Sequence, residues 1–273
     1  MLSPAIVVQY DGPVIAFPTV PPGERIVVSA SAFVTFEHCP ESANARFRGE
    51  YGLPSRPSFV GGLAHRIFAR HLQRGPIGGD EFQQVCKEEI GSTASLNLRM
   101  GELGLKPSQI PGLVAETKVL YDRFVRFPTD GFQGAEISLE VEPRPDVVLR
   151  GRVDAIFDDG VGGVRLVDWK TGRIDEVDDQ LGFYALLWVL AHDELPGGVE
   201  AVSVKTGERQ RSVPTISATT ALAERVAAMV ATVRAGWEAG TELTRVGGPW
   251  CRYCPLLDDC SEGRAATAVM AQG

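Results

Sequence analysis

Two runs of alternating apolar and polar positions, 133–142 and 146–157, have the period of strands with one face toward a core. Asp158-Asp159-Gly160-Val161-Gly162-Gly163 interrupts the alternation with turn-forming residues, and 164–170 resumes it, so a hairpin is predicted. Before this stretch the period is helical. Ser29 or Ser31 can cap a short helix to about His38. That helix should stop at Cys39-Pro40, because proline disfavours helix in the residue before it. Helices are also predicted over Ser58–Gln73, Asp80–Leu98 and Ser108–Phe127, the last with Leu113, Thr117, Leu120 and Phe124 along one side. Beyond the hairpin come an apolar helix over Glu176–Ala191, short strands near 199–205 and 208–214, and a helix over Ala218–Ala239.

This order predicts an α/β fold: a central mixed β-sheet flanked by helices, with the N-terminal helices packed beside it as a cap. Residues 1–28, rich in Pro and Gly, read as an extended lead-in with room for one short strand. Residues 29–132 form an N-terminal helical region and 133–240 the sheet-bearing core. A cysteine-bearing segment, 241–263, follows, and then a flexible small-residue tail, 264–273. No internal repeat is evident.

Composition narrows the class. The 273 residues allow one large domain or two small ones. The 44% hydrophobic and 23% charged fractions are ordinary for a soluble globular protein. No apolar run approaches the ~20 residues a membrane helix needs. The N-terminus lacks the basic-then-apolar pattern of a signal peptide. A cytoplasmic protein without a membrane partner is expected. The net charge of −8 (27 basic, 35 acidic) weighs mildly against nucleic acid as a partner. Arg46, Arg48, Arg66, Arg70 and Arg74 could still supply a local basic groove, and metal-binding carboxylates would add to the negative sum.

The hairpin carries candidate chemistry. A turn centred on Val161 pairs residues whose numbers sum to 322, which sets Asp154 opposite Asp168. Opposed residues on one face have Cβ atoms roughly 4.5–5.5 Å apart, close enough for two carboxylates to share a magnesium ion. Strand alternation puts Lys170 on the face of Asp168, and Trp169 on the other, against the core. A lone Asp-x-Lys is commonly part of a surface ion network. Here the flanks Val153, Ala155, Ile156, Leu166 and Val167 are apolar, and charges converging in such a setting need a partner.

The cysteines carry a second candidate. Five in number, they suggest metal ligation more than disulfides in a reducing compartment. Cys251-x-x-Cys254 and Cys260 have metal-ligand spacing, and Cys39 is the candidate fourth ligand, which would bring the two chain ends together. Spacing alone fits zinc and an iron-sulfur cluster equally. Cys86 has no partner in the pattern and reads as a buried small apolar residue.

Four stretches together resemble the RecB-type branch of the PD-(D/E)xK nuclease superfamily. They are Gly61-Gly62-Leu63-Ala64-His65, Gly151-Arg152-Val153-Asp154, Val167-Asp168-Trp169-Lys170-Thr171-Gly172 and Gln180-Leu181-Gly182-Phe183-Tyr184. The resemblance covers roughly residues 29 to 262 and implies a restriction-endonuclease-like core at 133–240. It implies that His65, Asp154, Asp168 and the Trp169 carbonyl ligate magnesium or manganese. Lys170 would be the catalytic lysine, and Gln180 and Tyr184 would orient the Asp-x-Lys strand or touch the DNA backbone. Cys39-Pro40 and Cys251-Arg252-Tyr253-Cys254-Pro255 are similar to the ends of AddB-like and CRISPR-associated Cas4-type exonucleases. That likeness implies a [4Fe-4S] cluster on Cys39, Cys251, Cys254 and Cys260, with zinc as the alternative occupant, stapling the flanks around the core.

The activity so implied is metal-dependent exonucleolytic cleavage of DNA, single-stranded or at strand ends. The alternatives are a structure-specific endonuclease on branched or flap DNA and a non-catalytic DNA-end-binding scaffold. An iron-sulfur electron carrier would have no use for the Asp154, Asp168 and Lys170 set. The chain is too short to include a helicase, and no Gly-x-x-x-x-Gly-Lys-Ser/Thr phosphate loop is present. A separate helicase, recombination or CRISPR-adaptation protein is the implied partner.

Overall fold

The computed structural model describes residues 14–271. One mixed six-stranded sheet, β1 (Ile26–Ser29) to β6 (Arg209–Ser212), separates two layers of helices. The long strand β3 (Val147–Asp158) organises it. Along one edge β3 pairs antiparallel with β2 (Phe132–Arg144). Along the other it is shared: parallel β1 takes Val147–Arg150, and antiparallel β4 (Val164–Lys170) takes Ala155–Asp158. Residues 151–154 therefore face a fork between two diverging strands. Parallel β5 (Gly198–Ser203) and antiparallel β6 continue the sheet beyond β4.

The β3–β4 hairpin has the predicted register, for Ala155 pairs Val167 and Asp158 pairs Val164. The ladder stops one step short of Asp154 and Asp168.

One face of the sheet is covered by α1 (Ala30–His38), α7 (Asp178–His192) and α8 (Ile216–Ala239). Helix α7 buries residues nearly all round, as a helix between a sheet and other helices must. The other face carries α3 (Arg56–Arg74), α4 (Gly79–Ser92), α5 (Ala94–Glu102) and α6 (Ile110–Phe124). Phe59, Leu63, Phe68, Leu113 and Phe124 from these helices meet Ala155, Phe157, Val167 and Trp169 of the strands. The N-terminal helices are thus not a cap beside the sheet but its second layer, because every second residue of β3 and β4 is apolar on that side too.

Other departures have local causes. Helix α2 (Pro40–Phe47), which the sequence did not predict, starts at the very proline that ends α1. Cys39 sits between the two helices in extended conformation, and a proline is well tolerated at a helix's first position. The predicted Asp80–Leu98 helix divides at Thr93, which is extended. The lead-in is not loose in its described part. Ile15 and Phe17 are buried, and the buried Arg234 donates to the carbonyls of Pro21 and Glu24. Helix α9 (Ser261–Met270) takes in most of 264–273, where a flexible tail was expected, since alanine favours helix and Cys260 caps its start through the Gly263 N–H. Residues 1–13 and 272–273 lie outside the described part. Helix α8 is long and apolar enough, by length and composition alone, to cross a membrane, although Glu224, Arg225, Arg234 and Glu238 interrupt it. Its Leu222, Val226, Val230 and Val233 lie in the core.

Candidate active site

The fork in the sheet opens into a cleft of about 530 Å³. Its floor is the unpaired edge of β3, its sides are the end of β4 and the start of α1, and α3 and α7 close it from either face. Asp154 sits where the β3–β4 ladder ends. Its Oδ2 accepts the Trp169 N–H at 2.8 Å, so a side chain supplies the partner the ladder no longer provides. Its Oδ1 lies 3.0 Å from Nδ1 of His65, which α3 projects toward the sheet.

Asp168 is buried near the end of β4 and belongs to a second set of contacts. Lys170 Nζ lies 2.9 Å from Asp168 Oδ2. Gln180, in the first turn of α7, holds three partners. It accepts from Lys170 Nζ, donates to Asp168 Oδ1 at 3.0 Å and donates to the Tyr184 hydroxyl at 3.2 Å. The four-residue spacing puts Gln180 and Tyr184 on one helix face. Gly151 lets that face approach, because a Cβ there would lie 2.7 Å from Leu187 and 3.4 Å from Tyr184. Trp169 points to the opposite side and meets the Phe124 ring edge-on at 5.1 Å.

The electrostatics suit a cation. Burial and the neighbouring Asp154 raise the Asp168 pKa, against the pull of Lys170. Burial alone would lower the pKa of His65, but Asp154, with Asp168 and Glu136 behind it, raises it to about 9. Burial pushes the Tyr184 hydroxyl far above the ordinary tyrosine range, so it stays protonated. Glu136 Oε1 is buried with no hydrogen-bond partner, and Asp168 Oδ2 is met only by the Lys170 ammonium. A buried carboxylate oxygen without a partner is costly unless a cation meets it.

Glu136 is the residue the sequence did not reveal. It lies on β2 across from Asp154, at a strand position with φ of +56°, a left-handed conformation rare outside glycine. Among the described residues, His65, Glu136 and Asp154 form the group whose potential ligand atoms all lie within 4.8 Å of one another. Glu136 also pairs with Arg66 at 3.0 Å and Arg152 at 3.2 Å. Its only sequence signal was an acidic residue on a strand beside the hairpin. Asp168, expected within the ligand group, lies beside it and contacts Lys170 and Gln180. A divalent ion fits this donor set, with a histidine nitrogen favouring manganese beside magnesium.

The anticipated front arginine groove is mostly neutralised. Arg48 pairs with Glu41 and Glu50, Arg66 with Glu89 and Glu136, and Arg70 with Glu88 and Glu89. The cleft is lined by other arginines, Arg99, Arg150, Arg152 and Arg173.

Cys39, Cys251, Cys254 and Cys260 line one apolar pocket with Val246, Trp250 and Leu257. The N–H groups of Val246, Gly248 and Gly263 point at the sulfurs of Cys39, Cys251 and Cys260, at 3.4, 3.3 and 3.3 Å. Burial and the three other thiols raise the Cys251 pKa, against the Gly248 N–H. Cys86 is buried elsewhere, under α3 and α6, and burial pushes its thiol up to about 12.

Comparison with known proteins agrees with this geometry. The model of the PD-(D/E)XK nuclease superfamily matches residues 27–261. No curated protein matches. Among solved structures, a Eubacterium rectale protein solved under the name "Putative exonuclease" aligns over 80% of this chain and 83% of its own, at 13% identity and a TM-score of 0.48. SSO0001 aligns over 73% of this chain and 94% of its own, at 15% identity and a TM-score of 0.31. The match to the family model spans both the forked sheet with its Asp154, Asp168 and Lys170 and most of the cysteine pocket, and the chain belongs to the PD-(D/E)XK nuclease superfamily.

Proposed function

We propose that this nuclease is a magnesium- or manganese-dependent DNA exonuclease acting on single strands or strand ends, with a [4Fe-4S] cluster on its four converging cysteines. The observation that carries the reading is the sheet fork. It gathers His65, Asp154 and Glu136 at one point and sets the Asp168–Lys170–Gln180 network beside it. His65, Asp154, Glu136, Asp168 and the Trp169 carbonyl would hold the ion. A divalent ion bound there supplies an activated water and neutralises charge building on phosphorus.

The chain's own groups do the positioning. Gln180 and Asp168 hold the Lys170 ammonium at the mouth of the cleft, where it can orient a water and stabilise a phosphoryl oxygen. Tyr184, kept protonated, steadies Gln180 from behind. Arg150, Arg152 and Arg173 stand where a phosphate backbone would pass.

The cluster reading is supported by convergence: Cys39, Cys251, Cys254 and Cys260 line one apolar pocket although they come from both ends of the chain. The N–H groups of Val246, Gly248 and Gly263 lie within reach of three of the sulfurs, and N–H donors to the sulfurs are favourable to cluster thiolates.

The test uses anaerobically purified protein on end-labelled linear single-stranded and duplex DNA and on a single-stranded circle, with magnesium or manganese. Progressive loss of linear DNA is expected, with the circle spared. Lys170→Ala should lower the rate about 10²–10³-fold. A circle cut as fast as linear DNA would replace the exonuclease reading with an endonuclease. Folded, metal-loaded protein that cuts nothing would leave a DNA-binding scaffold.

A further inference from the structure

The cleft over Asp154 does not end at its rim. Ser58 and Arg99 line it, and both also line a second groove of about 770 Å³. The groove is walled by the end of α2, the start of α3 and the segment between them, by helix α5, and by the 3-10 turn Pro249–Tyr253 that carries Cys251. Its side chains are unusual for a solvated surface. Tyr51 is 70% exposed, Tyr253 63%, Leu53 92% and Leu98 64%. Exposed apolar groups gathered on one concave patch mark a contact site. Arg46 and Arg99 also line the groove, and neither is in an ion pair among the described residues, whereas Arg66 and Arg70 are fully engaged. Glu102 is the single carboxylate of the lining.

The two tyrosines share the groove through a backbone contact. A Cβ on Gly52 would lie 2.1 Å from the Tyr253 carbonyl oxygen. Only glycine allows the Tyr51 segment to rest directly on the cysteine turn. Arg252 adds a guanidinium 5.8 Å from the centre of the Tyr253 ring.

We propose that this groove is the track by which single-stranded DNA reaches the metal site, with Tyr51 and Tyr253 stacking on bases and Arg46 and Arg99 meeting phosphates. A base in a single strand offers its π-face to an aromatic ring, whereas a base inside a duplex has both faces covered by its neighbours. Exposed tyrosines flanked by unpaired arginines on a groove continuous with the active cleft meet that requirement. The cysteine turn then does more than staple the chain ends, since it places one of the two stacking rings. This inference rests on the nuclease reading for its direction, but binding can be measured without cleavage.

The test is fluorescence anisotropy with a labelled thymidine oligonucleotide, in calcium without magnesium or manganese, beside a blunt duplex of equal length. Tyr51→Ala and Tyr253→Ala should each weaken single-strand binding about tenfold while duplex binding moves less than twofold. Tyr51→Phe should retain the affinity, because the ring and not the hydroxyl stacks. An unchanged visible spectrum for Tyr253→Ala shows that the cysteine site is intact, and Tyr51→Ala lies off the cysteine segment altogether. Single-strand affinity unmoved by both substitutions would overturn the track, as would an equal loss on duplex. If the wild-type protein binds single strands in this tyrosine-dependent way yet cleaves nothing with manganese, the track stands and the exonuclease reading falls.

Discussion

Glu136 decides how the metal group is built. Its carboxylate lies between two arginines on one side and His65 and Asp154 on the other, so two roles compete. As a ligand it would strengthen manganese binding. As an anchor for Arg66 and Arg152 it would only hold those side chains in place. Geometry favours the ligand: one of its oxygens is buried without a partner, and the chain adopts a costly positive φ to place it. Glu136→Gln should therefore weaken manganese affinity about 10–100-fold by calorimetry, with the melting temperature little changed. Unchanged affinity with a large fall in melting temperature would assign it to the arginines. Asp154, Asp168 and Lys170 were legible because hairpin register is arithmetic once the turn is fixed. Glu136 was not, because its position depends on a local backbone conformation that alternation does not encode.

At the scale of elements, α2 ties the chain ends together independently of any metal. Glu41 is buried at its start. Its carboxylate accepts from Asn44 at 2.9 Å, from Arg48 at 3.1 Å and from the Leu243 N–H at 2.7 Å, while its own N–H donates to the Thr244 carbonyl. Asn44 in turn accepts from the Trp237 indole at the end of α8. Burial would raise the Glu41 pKa, but these three bonds outweigh it and hold it below the usual value. The stabilisation is then fully present above the unfolded-state pKa of ~4.3 and lost as pH falls through the lower native value. Glu41→Gln should cost about 3 kcal/mol at pH 7. Its melting temperature should converge on the wild type as pH falls from about 4.5 toward 3. A gap independent of pH would mean that shape, not charge, matters there. Helix α2 escaped prediction because the same proline that ends one helix begins the next. The period of α3 and α6 was readable because each presents one apolar stripe to a single layer, and α7 was readable as a continuous apolar run.

For the whole molecule, the layer arrangement followed from the order of elements, but the sidedness did not. Residues on both faces of β3 and β4 are apolar, and only the packed structure shows that α3–α6 cover one face and α1, α7 and α8 the other. This has a consequence for the cysteines. The two cores close over the sheet without them, and the Glu41 bonds hold the chain as far as Thr244. Beyond that point the segment carrying Cys251, Cys254 and Cys260 contacts the body mainly through the cysteine pocket and the Gly52–Tyr253 contact. Stability is then uneven, with the C-terminal segment the first to open. Anaerobic protein should carry about four irons and four sulfides per chain. Cys254→Ser should lose them, keep its far-UV circular dichroism nearly unchanged, and become open to limited proteolysis only after about residue 244. The same substitution should weaken single-strand binding, because Tyr253 would no longer be held in the groove. Zinc without sulfide in the wild-type protein would refute the cluster, and global unfolding of Cys254→Ser would show that the cysteine site supports the whole fold and not one segment of it.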